Sequence, residues 1–204
     1  MFWSIYLAVL LASWAMMVRE GMWSNAIKLV NIIMSGLVAY GFYAPLTVYL
    51  DEMTGGSNTY WLDFVIIWAL FVVTMVILGE LTKLLSRTRM RFKNPIDPVG
   101  GPLVGFAAAW VLAAFVMATL HTSPMPPDAF SGKLQHSESD VASASVLTAP
   151  DLGWLRFVER VTTADAFGSA GTTPFKATAF VKIYTDHRTK FSKANAKWLR
   201  VPRS

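Results

Sequence analysis

Three histidines, His121, His136 and His187, carry the side chains in this sequence best suited to proton transfer or metal ligation. They lie far apart and lack both metal-ligand spacing and an accompanying Glu-rich helix, so the spacing predicts no metal site. Ser169 lies in Phe167-Gly168-Ser169-Ala170-Gly171, which looks like a nucleophile elbow, but Phe167 stands where that turn needs glycine two places before the serine. The segment reads as a small-residue loop. Gly100-Gly101 has no following Gly-Lys-Ser or Gly-Lys-Thr, so it cannot be a phosphate cradle of that type. The sequence has no cysteine, which excludes disulfides, thiolate zinc sites and cysteine nucleophiles. The expectation is a protein that is not an enzyme, with no catalytic residues and no cofactor.

The elements that would carry these residues follow from composition. Of 204 residues, 54% are hydrophobic and only 15% charged, with a mean hydropathy of +0.43. An average soluble domain carries about 25% charged residues, and its core could not absorb so much apolar surface. Four runs approach the ~20 residues that cross a bilayer: 2–18, 29–50, 60–79 and 98–120. The sole charge within them is Asp63, near the start of the third. The predicted fold is all-α, a four-helix polytopic membrane protein.

Ionisable residues in or beside a span are functional candidates by default, because lipid tolerates them only when paired or close to water. Three qualify: Asp63, Lys28 at the start of the second span and Glu80 at the end of the third. Lys28 and Glu80 would share one end of the bundle, and an ion pair between them would satisfy both. No ladder of carboxylates marks a proton path.

Flanking charge sets orientation. Lys83, Arg87, Arg89, Arg91 and Lys93 separate the third and fourth spans, and Arg19 and Lys28 the first and second, whereas residues 51–59 contain no Lys or Arg. The basic connections belong in the cytoplasm, which puts both termini on the extracytoplasmic side. Phe2, Trp3, Tyr49, Tyr60 and Trp61 outside, with Trp14, Trp23 and Phe92 inside, fit aromatic belts at the two interfaces.

Helices in lipid meet closely where small residues recur every four positions. Gly101, Gly105, Ala109 and Ala113 form such a row on the fourth span, with shorter rows Ser4, Ala8, Ala12 and Ser35, Ala39 on the first and second.

Beyond residue 120 the character changes. Residues 121–147 are rich in Ser and Pro, a composition that reads as a disordered tether. Leu152, Leu155, Val158 and Val161 recur at helical spacing, predicting a helix over 151–163. Residues 175–184 fit either alternation or a helical step. Helix is favoured, since a strand there would have no partner. The end carries Arg188, Lys190, Lys193, Lys197, Arg200 and Arg203 interleaved with Phe191 and Trp198. Outside a membrane this basic segment suits anionic lipid or another anionic envelope polymer rather than nucleic acid. The divisions are therefore a transmembrane domain over 1–120, a linker over 121–147 and a basic, helical extracytoplasmic tail over 148–204.

The order of features resembles the colicin V production protein family of bacterial inner-membrane proteins. The residues that carry the resemblance are Arg19-Glu20-Gly21, then Phe42-Tyr43-Ala44-Pro45-Leu46. They continue with a basic stretch and Asp97-Pro98-Val99-Gly100-Gly101-Pro102-Leu103-Val104-Gly105-Phe106 opening the fourth span. The family pattern there falls on Asp97, Gly100, Gly101 and Gly105, over a match of about residues 1–120. Pro98 and Pro102 around the glycine pair, and the long tail, depart from compact members. The resemblance implies a membrane role linked to secretion and envelope maintenance, without a defined reaction. The expected function is a scaffold or accessory factor of the inner membrane, with a second copy or another membrane protein as partner. The alternative is a subunit of an oligomeric pore or transporter.

Overall fold

A computed structural model describes residues 2–54, 59–85, 96–126, 129–145, 148–163 and 175–193. All regular elements among them are helical: α1 (Phe2–Met17), α2 (Met22–Thr54), α3 (Thr59–Leu85), α4 (Ile96–Thr119), α5 (Glu138–Ser143), α6 (Pro150–Thr163) and α7 (Ala177–Lys193), with short 3-10 turns at Leu120–Thr122 and Ala129–Gly132. Three helices, over Met22–Met53, Trp61–Leu85 and Asp97–Thr122, are long and apolar enough to cross a membrane. The first apolar run forms only the 16-residue α1, short for a full crossing. The second helix begins at Met22, ahead of the apolar run at 29–50 that marks it in the sequence.

α4 lies at the centre and packs against α1, α2 and α6. Its small residues make that possible, since Ala108, Ala109, Ala113, Ala114 and Ala118 are all buried and let neighbouring backbones come close. The ring of Phe115 stacks on Phe71 of α3 at 4.2 Å and meets Tyr40 of α2, Trp68 of α3 and Trp154 of α6 edge-on at 6.0, 5.8 and 5.9 Å. Edge-to-face pairs of this kind add about 0.5–1.5 kcal/mol each beyond area burial. Outward faces are apolar: Leu7 and Leu11 of α1 and Val65, Val72, Val76 and Ile77 of α3 are exposed, as lipid-facing residues should be.

The tail corrects the expectation of a tether. Ser/Pro content predicts little burial for residues 121–147, yet Leu134, Val141 and Ala144 are buried in the same core as the long helices. Local chemistry explains the order. Ser137 caps α5 by accepting from the Asp140 backbone N–H while the Asp140 carboxylate accepts from that of Ser137. Phe130 and Ser131 adopt left-handed φ values of 55° and 60°, followed by Gly132 at 73°. The turn sets the Phe130 ring 6.1 Å from Phe2 at the start of α1. α6 and α7 both form, which settles residues 177–184 as helix.

α6 is held to the bundle by Trp154. A Cβ added at Gly36 of α2 would lie 2.4 Å from the Trp154 ring and 3.3 Å from Phe115, so glycine supplies the space for the indole. At Gly41, on another face of the same helix, a Cβ would meet nothing within 4 Å. Gly36→Ala should destabilise the protein by about 1–3 kcal/mol in detergent melting, the range for overpacking a filled core. Gly41→Ala should melt like the parent.

Candidate functional site

Two constellations of polar side chains stand out inside this apolar chain. The first clamps the turn between α1 and α2 onto the start of α4. Asp97 accepts from the Met22 backbone N–H at 2.8 Å, so its carboxylate occupies the N-terminus of α2, where helix amides are unpaired and the dipole favours an anion. Asn25 is fully buried and donates its amide to the carbonyls of Met17 (3.0 Å) and Gly101 (2.8 Å), tying all three helices together. The glycines admit these contacts. A Cβ at Gly101 would lie 2.7 Å from the Glu20 carbonyl oxygen, one at Gly100 2.5 Å from the Met22 sulfur and one at Gly105 2.9 Å from the Asn25 amide. Ala109 and Ala113 continue the row, fully buried along α4.

The ion pair expected between Lys28 and Glu80 does not form. Lys28 pairs with Glu20, which also accepts from the Ser24 hydroxyl, and Glu80 pairs with Lys83 at 2.6 Å on its own helix. α2 places Lys28 beside the α1–α2 turn, within reach of Glu20, so the nearer carboxylate wins. Asp63 is also more deeply placed than its interfacial position suggests, 6% exposed and accepting from the Tyr184 hydroxyl of α7 at 2.8 Å. Burial first, then the neighbouring Tyr43 and the Asp63 carboxylate, push the Tyr184 hydroxyl well above its usual range.

The second constellation lies where the tail covers the end of α4, and separations in the sequence hide it. His121, in the turn that ends α4, is fully buried, with its Nε2 2.9 Å from the Asp151 carboxylate at the start of α6. His136, just before α5, brings its Nε2 to 3.5 Å from the same carboxylate oxygen. One donor atom from each of the three residues falls within 4.8 Å of the others, so His121, His136 and Asp151 could hold a metal ion. His187 is not in this group. Burial alone pushes the Asp151 carboxyl up, but the two imidazoles outweigh it and hold the group below the ordinary carboxylate range.

Arg188 of α7 closes the group. It belongs to the basic end expected to face an anionic surface, yet it is 3% exposed and donates to the carbonyls of His121 (3.3 Å) and Leu134 (2.6 Å) and to the Thr185 hydroxyl (3.3 Å). A planar guanidinium serves two carbonyls from two separate nitrogens in fixed geometry, which the single nitrogen of an ammonium does not offer, and burial lowers its pKa to about 10. Lys190 is exposed, as a surface role would require. Lys193 closes α7, and Lys197, Arg200 and Arg203 lie outside the described residues.

The sequence model of the family described as Colicin V production protein matches residues 4–148. The chain belongs to that family. The match extends past the four apolar runs and takes in His121 and His136 but stops short of Asp151, so a colicin V production protein architecture covers the bundle and the first part of its cover. No curated protein and no solved structure matches the chain. Asp97, Gly100, Gly101 and Gly105, on which the resemblance rests, all lie in the α1–α2–α4 clamp.

Two tests separate clamp from cover. Gly105→Leu should melt well below Val104→Leu, because only the first inserts a side chain between α4 and Asn25. Equal melting would remove the clamp. Arg188→Lys keeps the charge but loses the fork, and should cost about 1.5–3 kcal/mol, the range for hydrogen bonds to a charged group. Limited proteolysis would read this as faster cleavage within residues 129–145.

Proposed function

We propose that this colicin V production protein is a multi-pass scaffold of the bacterial inner membrane, not an enzyme, with both termini extracytoplasmic and α1 embedded as a fourth helix. It would serve secretion or envelope maintenance by assembling with a second copy or another membrane protein. The observation that carries the reading is the packing around Phe115. Rings from α2, α3 and α6 fill the interior at that level, which suits an anchor better than a conduit. The exposed apolar faces of α1 and α3 supply surface for lipid and for a membrane partner. Lys190 and the basic residues that follow would rest on anionic lipid, at about 1 kcal/mol for each Lys or Arg near the headgroups.

The scaffold is tested by photo-cross-linking in cells from Val76 of α3 and Leu11 of α1. A discrete adduct with a second copy or one membrane protein is expected, and adducts with lipid alone would overturn the reading. Ion flux through proteoliposomes above that of empty vesicles would favour the pore instead. Topology is tested by cysteine labelling, with Ser57→Cys and Ala142→Cys expected to react with an impermeant maleimide in intact spheroplasts. Thr88→Cys should react only after lysis. Labelling of Thr88→Cys in intact spheroplasts would reverse the orientation.

A further inference from the structure

We infer that His121, His136 and Asp151 form a zinc site that fastens the folded tail to the helix bundle. The three residues come from three separate segments: the turn ending α4, the stretch leading into α5 and the first turn of α6. Zinc binds imidazole nitrogen and carboxylate oxygen at about 2.0–2.2 Å in tetrahedral geometry, which sets neighbouring donors roughly 3.3 Å apart. The Asp151 oxygen lies 2.9 Å from one imidazole nitrogen and 3.5 Å from the other, on either side of that spacing.

The state of His136 points to a ligand beyond the chain. Its Nε2 is buried, faces the Asp151 carboxylate and makes no hydrogen bond. A buried polar atom left in that condition is unfavourable, and a cation between the three donors removes the deficit. Two imidazoles and one carboxylate suit zinc rather than magnesium or calcium, which prefer sets of oxygen donors. The positive charge of Arg188 opposes a cation nearby. Its guanidinium, however, is directed onto the His121 and Leu134 carbonyls, and so braces the segments that carry both histidines. His136 is partly exposed, at 19% of its side chain, and gives the ion a route from solvent. Three protein donors leave a fourth corner for water.

The test uses the full chain in detergent, purified through a tag without histidine and stripped with EDTA. After zinc is added and excess removed by gel filtration, elemental analysis should find about one ion per chain, and the melting temperature should rise. Cobalt in place of zinc should give the visible bands of a tetrahedral nitrogen and oxygen site. His136→Gln, at the partly exposed ligand, should keep the helical circular dichroism of the parent. It should bind zinc at least ~10-fold more weakly and lose the thermal shift, while His187→Gln should behave as the parent. Absence of zinc from the folded parent, or equal zinc affinity in parent and His136→Gln, would overturn the site.

Discussion

The structure depends on how closely α4 can be approached. In lipid, helices gain little from hydrophobicity when they meet, so contact must come from packing and from hydrogen bonds across the interface. α4 supplies the first through buried alanines and glycines, and Asn25 of α2 supplies the second by donating to Gly101 at 2.8 Å. At one end the glycines admit the α1–α2 turn, and further along α4 Phe115 gathers rings from α2, α3 and α6. A side chain larger than methyl in the small row would separate the helices and unseat the polar contacts as well as the apolar ones.

Docking of the tail follows from the same constraint. Gly36 leaves a space on α2 beside Phe115, and the Trp154 indole occupies it, so α6 becomes part of the bundle instead of hanging from it. Once α6 is seated, Asp151 faces the buried His121 at the end of α4. The connecting segment then brings His136 alongside, and Arg188 of α7 pins both backbones. Seven buried or half-buried polar atoms are thereby supplied by four segments, each too short to bury them alone. The apolar anchor is a precondition for the polar cluster, because a carboxylate can be buried only where its partners are held.

The residues that carry the resemblance acquire a physical meaning from the clamp. Asp97 stands where it accepts from the Met22 amide at the start of α2, and each glycine stands where a Cβ would strike the turn, the Met22 side chain or the Asn25 amide. These contacts make the Asp97 and glycine pattern a device for setting the angle between α1, α2 and α4, with no role in chemistry required of it.

The sequence by itself determined the membrane class, the helical fold and the family, because hydrophobicity, helical period and short glycine motifs are local properties of the chain. It also placed α6 and favoured helix for α7, since both have apolar residues at helical spacing. Partner choice was decided only by tertiary structure. Lys28 selects Glu20 because the α1–α2 turn folds back beside it, and His121 reaches Asp151 across 30 positions because α6 docks on α4. Arg188 reads as one more surface cation until α7 is laid across the Leu134 and His121 carbonyls. The ordered cover was hidden for a related reason. Serine and proline predict disorder when a segment must bury its own surface, and here three apolar residues, Leu134, Val141 and Ala144, bury themselves in a core that other helices had already built.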